Sequence, residues 1–167
     1  MDNLTNSIDQ VVEENALPHE WSKEVLAELK DLGVKNNKRD DLRKIPFVTI
    51  DGKDAKDFDD AVFCEANKDG FVLQVAIADV AEIVEPSSSI DKEALSRGTS
   101  IYFPKRVIPM LPEEISNNLC SLIPNEDRNV LVCKMNFTQE GAVSYTHLRA
   151  HETREDRGWP RGRGKKN

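Results

Sequence analysis

The sequence predicts an α+β fold, in which short strands and short helices are mixed and separated by proline-marked loops. Three observations lead there. Ala61–Cys64, Phe71–Ala78 and Asn129–Phe137 are β-prone stretches, and the last of them alternates apolar with polar residues. Trp21, Val25, Leu26, Leu29 and Leu32 recur at helical spacing. Pro104, Pro109 and Pro112 interrupt the region between, where no element can run long.

Taken in order, residues 1–17 are polar and weakly patterned. Pro18 then introduces a helix expected over Glu20–Leu32, with Gly33 as its stop. Residues 34–44 are charged and loop-like, and Pro46 leads into the β-prone run Phe47–Ile50. Asn67-Lys68-Asp69-Gly70 is turn chemistry between two strands. Asp91–Arg97 suits a short helix, and Ile101–Phe103 an extended segment. Pro112-Glu113-Glu114 suits a helix start, with acids in the first turn. Gln139-Glu140-Gly141 ends the last strand in a turn, and no internal repeat is present.

Composition excludes some classes. No apolar run approaches the roughly 18–20 residues that span a bilayer. The acidic, polar start does not read as a secretion signal, so a cytoplasmic location and no membrane partner are expected. Cys64, Cys120 and Cys133 fit no zinc or redox spacing and read as buried structural thiols. The net charge of −7 among 167 residues is uneven. Residues 143–167 hold seven Lys/Arg against three Asp/Glu, and the remainder holds 16 against 27. Bulk attraction to nucleic acid is therefore not what residues 1–142 supply.

The tail has its own signature. Val143–Thr153 reads VSYTHLRAHET, which matches the translation of a transposase library adapter. The expectation is that a natural frame ends near Ala142, and that residues 143–167 are adapter-derived, disordered and outside the fold. His147 and His151 have a spacing that suits a metal on a helix, but they belong to this tail and are not expected to form a site.

The chemistry lies in Thr49–Val62, TIDGKDAKDFDDAV, where Asp51, Asp54, Asp57, Asp59 and Asp60 crowd within ten residues. Two such charges about 5 Å apart cost roughly 3 kcal/mol at an effective dielectric near 20. A loop can point them into water; converging them requires raised pKa values or bound cations. Hard carboxylate oxygens suit Mg²⁺ or Mn²⁺, and paired ions of that kind stabilise both the attacking and the leaving oxygen of a phosphoryl displacement. In an extended segment Asp57 and Asp59 share a face while Asp60 points away, so convergence needs a bend. Gly52 permits a turn beside Asp51. An EF-hand fits poorly, because Lys53 and Lys56 stand where an acid and a glycine are wanted. On the residues alone, a solvated acidic loop and a metal site both remain open.

TIDGKDAKDFDDAV closely resembles the signature of the RNB catalytic domain of the ribonuclease R/ribonuclease II family. The likeness continues through LQVAIADVAEIVEP (Leu73–Pro86), DKEALSRGTSIYFPKRVIPMLPEEISNNLCSLIP (Asp91–Pro124) and EDRNVLVCKMNF (Glu126–Phe137). It covers about Leu42 to Phe137 and leans towards ribonuclease R. It implies an incomplete N-terminal portion of such a domain over residues 42–142, preceded by a lead-in with one helix over residues 1–41. It implies that Asp51, Asp57, Asp59 and Asp60 hold Mg²⁺ (Mn²⁺ in its place) and are the catalytic set, with Asp54 an accessory charge and Asp79 structural. Tyr102, a core residue by its pattern alone, matches a family aromatic that contacts the 3′-terminal nucleotide; a ring can stack on any base.

The implied reaction is Mg²⁺-dependent 3′-to-5′ hydrolysis of single-stranded RNA to nucleoside 5′-monophosphates. Water is the nucleophile, and His19 is the only histidine before residue 143. The family domain is more than twice as long as the matching region. An arginine near the scissile phosphate, a second aromatic and the flanking oligonucleotide-binding modules find no match here, so this polypeptide is expected to be inactive alone. The alternative is a non-catalytic RNA-binding or regulatory protein built on the same partial domain.

Overall fold

The computed structural model describes residues 3–33, 39–53 and 55–154. Asp54 and residues 155–167 lie outside the described residues, and with them the expectations placed there. The chain divides into two compact units: residues 1–33 with 84–114, and residues 34–83 with 115–167. The division differs from the expected boundary at residue 42, because the N-terminal segment packs with residues 84–114.

The first unit holds α1 (Asn3–Glu14), α2 (Lys23–Glu28), α3 (Ser89–Arg97) and a hairpin of β4 (Ile101–Phe103) with β5 (Arg106–Ile108). The expectation of one helix over residues 1–41 is corrected: α1 precedes α2. Ile8 and Val12 lie four residues apart and pack with Ile108, Leu17, Ile101 and Phe103. That two-residue stripe was too sparse to stand out among polar neighbours. The helix expected over Glu20–Leu32 is shorter, since α2 starts only after Ser22, whose hydroxyl accepts from the Val25 N–H. Such a cap is worth about 1 kcal/mol. Residues Leu29–Asp31 tighten into a 3-10 turn.

Trp21 falls outside the helix because it serves another contact: the Arg97 guanidinium lies 3.6 Å from its ring centre. Arg97 also donates to the carbonyls of Pro18, Glu20 and Pro109 and pairs with Glu93. Glu28 accepts from the N–H groups of Ser89 and Ile90, and so caps α3 from α2. Gly98 closes α3 in the left-handed conformation.

The second unit is a five-stranded sheet in the order β1-β7-β6-β3-β2. Its strands are β1 (Asp40–Asp41), β2 (Asp60–Asn67), β3 (Gly70–Ala78), β6 (Asp127–Thr138) and β7 (Val143–Arg154). All neighbours are antiparallel except β1 with β7. The expected strands are present and longer than the sequence indicated. One face buries Ala61, Val72, Ala76, Ala78, Val130 and Val132, with Phe47 edge-on to Phe63. The Phe47–Ile50 run makes only a bridge, Val48 with Val62, and leaves Ile50 exposed. Asp79 is structural as expected: buried, it pairs with Arg39 at 2.8 Å, and Glu82 joins the same guanidinium. No helix among the described residues is long and apolar enough to cross a membrane.

Two expectations are corrected here. Residues 143–154, expected to be disordered, form β7 along the whole of β6, with a register shift between Asn136 and Phe137. The reason is backbone pairing rather than packing, since from Val143 to Ala150 no side chain is buried. His147 and His151 consequently sit on a strand rather than on a helix. Of the three cysteines, all free, only Cys120 is buried, and Cys64 is exposed.

The β2–β3 turn turns on Gly70. Its φ is +145°, and an added Cβ would lie 2.0 Å from the Phe137 carbonyl oxygen. Gly70→Ala is expected to cost at least about 2 kcal/mol in urea unfolding. Gly33→Ala, with open space around it, is expected to cost under about 0.5 kcal/mol.

Candidate metal centre

The aspartate segment leaves the sheet at the Val48–Val62 bridge, which carries backbone bonds of 3.0 and 2.8 Å, and returns through Asp60 at the start of β2. Between these points it has no regular structure. The Ala55 N–H donates to the Gly52 carbonyl, closing the expected turn, although Gly52 has no positive φ and an added Cβ there would meet open space. Glycine is thus not demanded at that position. Further on, the backbone is fixed group by group. The Phe58 carbonyl accepts from the Leu122 N–H and the Asp59 carbonyl from the Ala78 N–H, each at 2.9 Å.

Asp51, Asp57, Asp59 and Asp60 are all solvent-accessible. They nevertheless share one electrostatic neighbourhood. The Asp59 carboxyl is raised above the ordinary aspartate range, first by partial loss of water and then by the charges of Asp57, Asp60 and Asp51. Asp51 is raised likewise, by desolvation and then by Asp60 and Asp57. Among the described residues no lysine or arginine side chain pairs with any of the four. The Asp60 charge acts on both Asp51 and Asp59. Cys120 belongs to the same surroundings: burial first, and then the Asp59 charge, pushes its thiol up to about 11.

The donor chemistry suits a hard divalent cation, since four carboxylates repel one another with no basic side chain to offset them. The convergence is partial: among the described residues no three Asp, Glu, His or Cys side chains gather closely enough to hold a metal ion. Tyr102 lies in the other unit. It stands on β4 opposite Val107 and is 69% exposed, so it is no core residue. Ser121 is a site-supporting residue that sequence reasoning missed; a lone serine between Cys120 and Leu122 carries no signal by itself.

A twisted antiparallel sheet with an acidic loop feeding one edge strand is the class of architecture that comparison with known proteins resolves. The RNB domain model matches residues 39–153, and the chain belongs to the RNB-domain family. A ribonuclease R from Acidithiobacillus ferrooxidans is 53% identical over 140 residues, covering 80% of this chain and 32% of that protein. RNase R of Mycoplasma genitalium, solved in complex with ribose methylated single-stranded RNA, superposes with a TM-score of 0.87 at 36% identity, over 93% of this chain and 25% of that one. The same protein in complex with double-stranded RNA gives 0.87 and 36%, over 93% and 28%. The chain therefore spans about a third or less of each of these relatives and is a partial RNB domain.

The raised carboxyls set the sign of a pH effect. A group whose folded pKa exceeds its unfolded value near 3.8 binds more protons when folded. Its ionisation therefore destabilises the fold as pH rises through that window. Asp59→Asn removes one repelling charge and is expected to raise stability at neutral pH in metal-free buffer. The gain should shrink as pH falls towards 3.8, as followed by urea unfolding at a series of pH values.

Proposed function

We propose that this chain is the N-terminal part of the catalytic domain of a Mg²⁺-dependent 3′-to-5′ exoribonuclease acting on single-stranded RNA and releasing nucleoside 5′-monophosphates. The observation that carries the reading is the run of Asp51, Asp57, Asp59 and Asp60 inside the matched RNB segment, with no salt bridge to a basic side chain among the described residues; desolvation and then the neighbouring charges raise Asp51 and Asp59. It is supported by ribonuclease R relatives, one of them solved with single-stranded RNA.

In this reading the four carboxylates would hold Mg²⁺, or Mn²⁺ in its place. When bound, the ions would supply positive charge to the scissile phosphate and lower the pKa of water. The chain's own part is to place the acceptor oxygens and to keep them ionised, which the two raised carboxyls do fully only above the ordinary aspartate range. The exposed Tyr102 ring offers a stacking surface for the 3′-terminal nucleotide that reads no sequence. The second reading, a non-catalytic RNA-binding or regulatory protein, is favoured by the incomplete convergence of the carboxylates.

Calorimetry separates the two. Mn²⁺ is expected to bind the wild-type chain with heat, and Asp59→Asn to weaken it at least about tenfold. Equal affinities would remove the metal from the proposal and leave the non-catalytic reading. With 3′-labelled single-stranded RNA and Mg²⁺, the chain alone is expected to give little or no turnover, because it spans a quarter of the solved relative's chain. Turnover comparable to a full-length ribonuclease R would show that the fragment suffices.

A further inference from the structure

We infer that Ser121 is the positioning residue of the aspartate loop, a buried hydroxyl that sets the direction of Asp57 and Asp59 for a divalent cation. The inference rests on the metal reading above and adds to it the means by which the chain organises the site.

Ser121 is fully buried. Its hydroxyl donates to the Lys56 carbonyl at 2.7 Å and accepts from the Phe58 N–H at 3.0 Å. These two partners flank Asp57, so one side chain grips the backbone immediately before and immediately after a carboxylate. The next residue continues the grip through the Leu122 N–H on the Phe58 carbonyl, and β3 completes it through the Ala78 N–H on the Asp59 carbonyl. From Lys56 to Asp59 the backbone thus has four tethers, and none of them uses a carboxylate.

The chemistry selects the residue type. The position needs one group that donates and accepts at once within a dry space, and a hydroxyl does both. Alanine would remove the partner of the Phe58 N–H and of the Lys56 carbonyl, both part-buried, and leave a small void at a fully buried position.

The clamp is itself anchored. Arg128, at the start of β6 and only 11% exposed, donates from Nε to the Ser121 carbonyl at 2.9 Å and from Nη2 to the Asn118 carbonyl at 3.1 Å. The Cys120 N–H donates to the Ile115 carbonyl at 2.8 Å, closing the π-helical turn Ile115–Leu119 that precedes it. Position therefore passes from the sheet through Arg128 to Ser121, and from there to the loop. Repelling carboxylates without basic partners cannot order themselves. Groups outside a ligand set that hold its members in place tune a metal site, and here the hold is on the backbone.

The test uses the intact chain with Mn²⁺ as probe, comparing wild type, Ser121→Ala and Ser121→Thr by amide hydrogen exchange and by Mn²⁺ titration. Ser121→Ala is expected to speed exchange at the Phe58 N–H and to weaken Mn²⁺ binding about tenfold or more, while the amides of Val72–Ala76 keep their protection. Ser121→Thr, which keeps the hydroxyl, is expected to restore a large part of both. Unchanged Phe58 exchange with unchanged Mn²⁺ affinity would overturn the inference. So would a loss of protection spread evenly over β3 and β6, which marks an ordinary core residue. Should Ser121→Ala fail to fold, Arg128→Gln is the second variant, expected to act in the same direction more weakly; wild-type values in both measurements would equally overturn it. Absence of Mn²⁺ binding in the wild type would end the metal reading instead, and Phe58 exchange would then judge the clamp by itself.

Discussion

Four like charges between Asp51 and Asp60 have to be held by the backbone, because no basic side chain among the described residues holds them. The magnitudes show how this is met. Each close pair of carboxylates costs roughly 3 kcal/mol at an effective dielectric near 20, and less where water screens it. A backbone hydrogen bond nets about 1 kcal/mol. The Val48–Val62 bridge, the Ala78 and Leu122 amides and the Ser121 hydroxyl together make six bonds to the loop and its ends. Those bonds are of the size needed to offset one or two pairs, not all of them. Asp51 and Asp59 remain raised, by desolvation first and by the neighbouring charges second. The acidic loop is thus a local load on the edge of a sheet whose inner strands, β3 and β6, are paired on both sides.

That sheet has a second property. On β3, Phe71, Leu73, Val75 and Ile77 alternate with the buried set, and across from them on β6 stand Phe137, Met135, Cys133 and Leu131. Both faces are therefore apolar. Phe71, Ile77 and Leu131 are each about 40% exposed. An antiparallel sheet with one solvated face carries polar residues there, whereas apolar residues on both faces are the pattern of a sheet covered on both sides. The chain spans a quarter of the solved relatives. β7 carries the same contrast to an extreme: β6 pairs along nearly all of it and β1 touches only its end, yet from Val143 to Ala150 nothing is buried. Backbone pairing, rather than packing, sets its place.

Much of this was legible in the residues, and the reasons for the rest are specific. The strands from Asp60 to Ala78 and from Asp127 to Thr138 announced themselves through β-prone runs and through the Asn67–Gly70 turn, where the Asn67 side chain accepts from the Asp69 N–H. Asp79 was legible as structural, although its partner Arg39 was not, since forty residues separate them. The helix at Asn3–Glu14 was missed because its buried stripe is only Ile8 and Val12. Trp21 was assigned to a helix by spacing, yet Arg97 claims it from 76 positions away. Tyr102 read as core by its apolar neighbours, but a three-residue strand in a two-stranded hairpin leaves one face open. The acidic cluster stood out in the sequence, because charge density is local. Its support did not, because Ser121 lies more than sixty residues from the loop it holds.

The exposure of the four carboxylates bears on what such a loop can contribute to chemistry. Preorganised charge does most where water is excluded, because a low dielectric leaves each interaction unscreened. Here the aspartates are open to solvent, while Ser121, bonded to the backbone of the loop, and its neighbour Cys120 are buried. In the proposed arrangement the backbone tethers orient the acidic side chains while water screens their fields. A loop in that state suits collecting a hydrated cation, which retains several waters in any case. Strong stabilisation of a phosphoryl transition state additionally requires a wall on the open side. The division is physical: backbone tethers placed by one strand pair can orient ligands, whereas excluding water takes surface that lies across from them.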